Sequence, residues 1–192
     1  MKFKELSIAG SWIANTEIHR DDRGTFTEFF KPSGLKEMFG YSFVAAQGNI
    51  SISNAGVLRG IHFSSAPQGQ AKWVRCVNGS IFDVVIDIRP DSMTFGKWLG
   101  IELSAQNTTS IIIGPGLGHA FMALENDSIV QYLTTSEYSS KSEHEINPFD
   151  PEIGIDWPYK VSQISKKDEL APGLVALRDS GKLPNLSDFP LY

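Results

Sequence analysis

Cysteine is nearly missing from this chain: Cys76 is the only one in 192 residues. No intrachain disulfide can form, which excludes the small stapled folds of secreted proteins and points to a reducing compartment. Long apolar runs are missing too. None approaches the roughly 20 residues that cross a bilayer, and the opening MKFKELSIAG lacks the apolar core of a signal peptide. The expectation is a cytoplasmic protein with no membrane association. Basic residues are the minority charge, 17 Lys and Arg against 22 Asp and Glu for a formal charge of −5. That balance argues against nucleic acid as a partner, and an anionic ligand would need a local cluster of cations. There is no internal repeat, low-complexity tract or flexible linker to divide the chain. With 41% hydrophobic and 20% charged residues the composition is ordinarily globular, and the length suits a single domain over residues 1–192.

The pattern that is present is overwhelmingly β. From Phe43 to Leu133 short apolar runs alternate with turn signals: Asn54-Ala55-Gly56, Pro67-Gln68-Gly69, Asn78-Gly79, Arg89-Pro90-Asp91, Gly114-Pro115-Gly116 and Glu125-Asn126-Asp127. Asn78-Gly79 predicts a two-residue hairpin. In Ile81–Ile88 the even positions are all apolar while the odd ones include Asp83 and Asp87, so one face packs a core and the other carries buried or half-buried acid. Many short strands with regular turns predict an all-β sandwich or barrel, and a jelly roll enclosing a ligand cavity suits the length.

The two ends carry the exceptions. Residues 1–31 read as an arm with two short β pieces around the turn Asp21-Asp22-Arg23-Gly24, with Phe26 and Glu28 on one side of the second piece. Ser33 to Phe39 reads as a short helix capped by Ser33 and stopped by Gly40. After Tyr138 the chain turns polar, and Pro148, Pro151 and Pro158 exclude a long helix. Short helices are expected at about 165–181, the first capped by Ser165 with Asp168 at its third position.

Chemistry concentrates in Gly56-Val57-Leu58-Arg59-Gly60-Ile61-His62-Phe63. A cation and an imidazole three residues apart differ in parity, so a regular strand would send them to opposite faces. Gly60 lies between them, and a bulge there would aim both into one cavity. Lys72, His119 and Tyr132 are also set in apolar β runs. Burying such donors unpaired costs on the order of 1–3 kcal/mol each, so together with His62 they are expected to surround water or a ligand.

Two kinds of chemistry compete for that inventory. His-rich jelly rolls that hold iron, manganese or zinc take two histidines from one strand as His-x-His, but the second position after His62 is Ser64, and His19 and His144 stand in loop-like contexts. No metal site is expected. Acid–base chemistry fits better: imidazole is a general base, a phenol a general acid, and an ammonium or imidazole can hold a developing enolate oxygen. A carboxylate behind the histidine would fix its tautomer; Asp83 and Asp168 are both candidates.

The segments GVLRGIHF, QAKWVRCVNGSIFDVVIDIR, SMTFGKW, GLGHAF and GIDWP, in that order, resemble the dTDP-4-dehydrorhamnose 3,5-epimerase family, and the likeness runs from about Ile18 to about Leu174. The resemblance implies a cupin-type jelly-roll β-barrel that needs no cofactor. It implies epimerisation of a 4-keto-6-deoxyhexose nucleotide, a dTDP-sugar, by proton removal and return at C3 and C5. Some relatives act at C3 alone; a metal-dependent cupin or a non-catalytic sugar-nucleotide binder are the rival classes. By the same resemblance His62 takes the protons with Asp168 as its partner, Tyr132 returns one from the opposite face, and Lys72 stabilises the enolate. Arg59, His119, Gln47, Gly48 and Asn49 would bind substrate, and Arg23, Phe26, Glu28, Glu143 and Lys167 would surround the nucleotide. It further implies a homodimer with exchanged N-terminal strands. Gly118 and Ala120 depart from the family's common form around His119, and HFSSAPQGQ stands where HYQ is frequent.

Overall fold

The computed structural model describes residues 1–36, 42–65 and 69–189. Strands are the dominant regular structure among them: β1 (Lys2–Glu5), β2 (Ser11–Asn15), β3 (Ile18–Asp21), β4 (Gly24–Thr27), β5 (Gln47–Ser53), β6 (Leu58–Ser64), β7 (Lys72–Asn78), β8 (Ser80–Asp87), β9 (Trp98–Ser104), β10 (Thr109–Ile113), β11 (Leu117–Ala123), β12 (Ser128–Thr134) and β13 (Glu143–Glu145). Two short α-helices follow, α1 (Lys166–Glu169) and α2 (Leu174–Asp179). The strands form a six-stranded sheet in the order β1-β2-β10-β7-β12-β5, a five-stranded sheet β13-β6-β11-β8-β9, and a separate β3-β4 hairpin.

Among these strands, from β5 onward every connection but β8–β9 crosses from one large sheet to the other. That alternation is the jelly-roll path, so the expected all-β class holds. β1, β5, β9 and β13 remain sheet edges; the barrel is two facing sheets and is not closed by hydrogen bonds all the way round.

Alternation explains the layers. In β7 and β12, Val74, Cys76 and Val130 point inward and meet Ile81, Val85, Leu103 and Phe121 of the opposite sheet. The other side of β8 places Val84, Ile86 and Ile88 under Ile146, Ile153 and α2 residues Leu174 and Leu177. On the outer side of the six-stranded sheet Trp73 is fully buried, with Phe3, Phe30 and Phe43 packed edge-on at 6.1, 5.2 and 6.3 Å. Both faces of β8 are buried, and Asp83 and Asp87 lie among them at 0% exposure, as the mixed odd positions predict.

Four expectations need correction. Asn78-Gly79 is not a hairpin: Gly79 turns the chain with φ +68°, but it carries β7 of one sheet into β8 of the other. The arm at 1–31 is shorter than expected, because β1 and β2 pair within the six-stranded sheet and only the β3–β4 hairpin stands apart. Glu28 lies beyond the end of β4, not on it. Ser33 is no N-cap: a 3-10 turn begins at Pro32, whose ring presets the first helical φ, and Lys31 takes the cap position. The rest of that expected helix, Glu37 to Gly40, and Pro67-Gln68 of the expected turn lie outside the described residues. The capped turn at Ser165 and the helix after Gly173 form as expected.

Candidate active site

β6 supplies the first component. Opposite it in β11, His119 pairs with His62 and Phe121 with Arg59, so Gly60 and Ile61 together face Ala120 alone. This is a β-bulge at Gly60, which adopts φ +102°, a region open to glycine. The extra residue reverses the parity, and Arg59 and His62 both line one cavity of about 570 Å³ between the sheets. Arg59 is held there by Ser53 Oγ, 3.0 Å from its Nε, and by the Ile52 carbonyl.

The bulge also exposes the Gly60 N–H, which donates to Asp168 Oδ2, while Asp168 Oδ1 lies 2.8 Å from His62 Nε2. Asp168 is carried there by α1, whose N-cap Ser165 Oγ accepts the Asp168 backbone N–H at 3.0 Å. Burial works to raise the Asp168 pKa, but the bonds from His62, Gly60 and Ser165 outweigh it and hold the carboxyl below its ordinary value. Asp83 serves the other imidazole: its Oδ2 is 2.8 Å from His119 Nε2. The choice left open by the residues is thereby made, and each histidine has its own buried acid.

The six-stranded sheet contributes Lys72 and Tyr132 from the facing wall. Neither the Lys72 ammonium nor the Tyr132 hydroxyl has a hydrogen-bond partner among the described residues, so both are available to a ligand. Burial pushes the Lys72 pKa down, and the acids Glu143 and Asp83 oppose that. Burial and then Glu143 push Tyr132 up, against Arg59. His62 on one sheet, backed by the α1 carboxylate Asp168, thus faces the Tyr132 phenol on the other, with the buried Lys72 on the same wall as the phenol. This set can remove a proton from one side of a bound molecule and return one from the other.

The remaining candidates divide. Lys167 lines the cavity and is paired with Glu145 of β13. Gln47, Gly48 and Asn49 lie on β5 before Ser51–Ser53, the part of that strand that lines the cavity, with Asn49 directly opposite Tyr132 and bonded to Gln47 at 2.7 Å. Glu143 on β13 accepts from Ser64 Oγ. Arg23, Phe26 and Glu28 are not brought to this cavity: Arg23 pairs with Asp21 at 2.6 Å, Glu28 with Lys31 at 3.4 Å, and Phe26 is 70% exposed. Sequence reasoning passed over Ser53, Glu145 and Tyr138, whose backbone N–H is held by Gln47 Oε1 at 2.8 Å. A serine or an acid in a strand carries no local signal of its distant partner. No three His, Cys, Asp or Glu side chains converge as a metal-ligand set among the described residues. No helix among them is long and apolar enough to cross a membrane.

Known proteins resemble this chain over nearly its whole length. The family model described as dTDP-4-dehydrorhamnose 3,5-epimerase matches residues 5–176. A dTDP-4-dehydrorhamnose 3,5-epimerase of Mycolicibacterium smegmatis is 45% identical over 98% of this chain and 93% of its own. The solved structure of the Mycobacterium tuberculosis rmlC epimerase superposes with a TM-score of 0.94 at 43% identity, covering 97% of this chain and 95% of that one. A Legionella pneumophila RmlC solved in complex with dTDP-4-keto-L-rhamnose gives 0.89 at 38% identity, covering 96% and 97%. The chain belongs to the dTDP-4-dehydrorhamnose 3,5-epimerase family.

Proposed function

We propose that the protein converts dTDP-4-dehydro-6-deoxy-D-glucose to dTDP-4-dehydro-L-rhamnose by inverting C3 and C5. The observation that carries this is His62 on one sheet, bonded to Asp168 of α1, facing Tyr132 and Lys72 on the other sheet across one cavity. In the substrate both carbons are α to the C4 ketone, so either C–H can be removed as an enolate and reprotonated. His62 takes the proton, and Asp168 stabilises the imidazolium as it forms. Lys72 and His119 hold the charge that builds on the C4 oxygen, and Tyr132 delivers a proton to the opposite face. Arg59 and Lys167 supply positive charge for the diphosphate in a chain whose net charge is negative. The reaction is redox-neutral and is written through these side chains alone.

In the same reading residues 1–192 act as one cytoplasmic domain that pairs as a homodimer, with the β3–β4 hairpin exchanged. Arg23, Phe26 and Glu28 then serve the partner's cavity. In support, the hairpin pairs with no other strand among the described residues, and Phe26 is 70% exposed.

Proton NMR in D₂O with the keto sugar nucleotide tests the chemistry. Wild type is expected to exchange the C3 and C5 protons, and His62→Asn to abolish both while keeping the fold. Undiminished exchange in that variant overturns the assignment.

A further inference from the structure

β5 and β6 belong to different sheets, and the turn after Ser53 joins them. Ser53, the last residue of β5, points inward by the alternation that leaves Ile50 and Ile52 exposed, and it is itself only 4% exposed. Both Ser53 and Arg59 line the cavity. Ser53 Oγ accepts from Arg59 Nε at 3.0 Å, and the Ile52 carbonyl accepts from Arg59 Nη2 at 3.3 Å. Ser53 Oγ has no other partner among the described residues, so that hydroxyl serves Arg59 alone.

Both acceptors are neutral. Arg59 makes no ion pair among the described residues, whereas Lys167, the other cation proposed to meet the diphosphate, is already paired with Glu145. A guanidinium carries five N–H donors, and the two bonds to β5 use only part of that fork. The rest of it, and the whole of its charge, stay available to an anion in the cavity. A free arginine must give up rotamer freedom to bind an anion; the two bonds from β5 remove that freedom beforehand.

We propose that Ser53 is a positioning residue for substrate binding: its hydroxyl fixes the Arg59 guanidinium for the diphosphate without drawing on its charge. The inference rests on the epimerase reading and assigns the orientation of one of its binding groups to a strand of the opposite sheet. In that reading the chemistry at the sugar ring belongs to His62, Asp168, Lys72 and Tyr132. Loss of the Ser53 hydroxyl therefore weakens binding and spares the proton transfers.

The test is calorimetric titration with dTDP, beside kcat and KM for the keto sugar nucleotide, in wild type, Ser53→Ala, Ser53→Thr, Arg59→Ala and the variant carrying both alanines. In Ser53→Ala the Kd for dTDP and the KM are expected to rise about tenfold, with kcat changed less than about twofold. The fold survives that substitution, because Arg59 is open to solvent and its freed N–H can turn to water. Ser53→Thr keeps the accepting oxygen and restores binding. Arg59→Ala weakens binding at least as much as Ser53→Ala, and adding Ser53→Ala to it weakens binding no further. An unchanged Kd in Ser53→Ala, a kcat that falls along with binding, or losses that add in the double variant would each overturn the inference and leave the epimerase reading standing. A wild type that exchanges neither C3 nor C5 overturns that reading and the inference with it.

Discussion

His62 and His119 face each other across β6 and β11, and they differ in setting. His62, with its side chain 40% exposed to the cavity, draws on Asp168, a carboxylate held below its ordinary pKa by bonds that outweigh its burial. His119 is 10% exposed and bonded to the fully buried Asp83. The open imidazole is suited to meet a C–H, the enclosed one to hold an oxygen. Tyr132→Phe separates acid from base: proton exchange at C3 and C5 is expected to outlast net turnover, because abstraction survives while delivery to the other face fails. Equal loss of both, read by NMR in D₂O, would reduce Tyr132 to a wall of the cavity. At this scale the side chains themselves were legible, since donors set in apolar runs are conspicuous. Which acid served which histidine was not, because Asp168 reaches His62 across 106 positions of sequence, through a cap that no local pattern ties to β6.

At the scale of elements the bulge in β6 makes the site possible. A Cβ at Gly60 would lie 2.6 Å from the His119 carbonyl oxygen and 2.9 Å from Ala120 Cα, at φ +102°. Gly60→Ala is therefore expected to destabilise the fold by at least about 2 kcal/mol in urea titration and to cost more activity than that loss alone, by disturbing both Arg59 and the N–H that holds Asp168. The β8–β9 connection supplies a pH test. Burial works to raise the Asp87 pKa, but Arg89, Ser92 and Thr94 bind the carboxylate and hold it below its ordinary value. A depressed folded pKa gives stability that is complete above the unfolded value and lost as pH falls towards the folded one. Wild-type Tm should therefore drop below about pH 4, and more steeply than that of Asp87→Asn. Parallel acid limbs would remove Asp87 from the account. The bulge was legible because a glycine separated two polar side chains of opposite parity. The sheet crossing at Gly79 was not: Asn-Gly encodes a reversal of direction, while the sheet that receives the next strand is decided by which faces of β7 and β8 find apolar partners.

For the whole molecule the unsettled surface is the one around the β3–β4 hairpin and the edge strand β5, whose Ile50 and Ile52 are 67% and 60% exposed. Exposed apolar side chains on a free strand edge invite a second chain, in keeping with the proposed homodimer. Exchange makes each active site a composite of two chains, which mixing can detect. A subunit carrying His62→Asn has a dead cavity but an intact hairpin; one carrying Arg23→Ala and Phe26→Ala has an intact cavity but a damaged hairpin. Refolded together in equal amounts, half the dimers are mixed, and each mixed dimer has one site with both parts intact. Activity should return to about a quarter of wild type under the two-fold symmetry of such a pair, from two proteins that are each nearly inactive alone. If every hairpin served its own chain, no mixed dimer would hold a complete site, and the mixture would stay as inactive as its components.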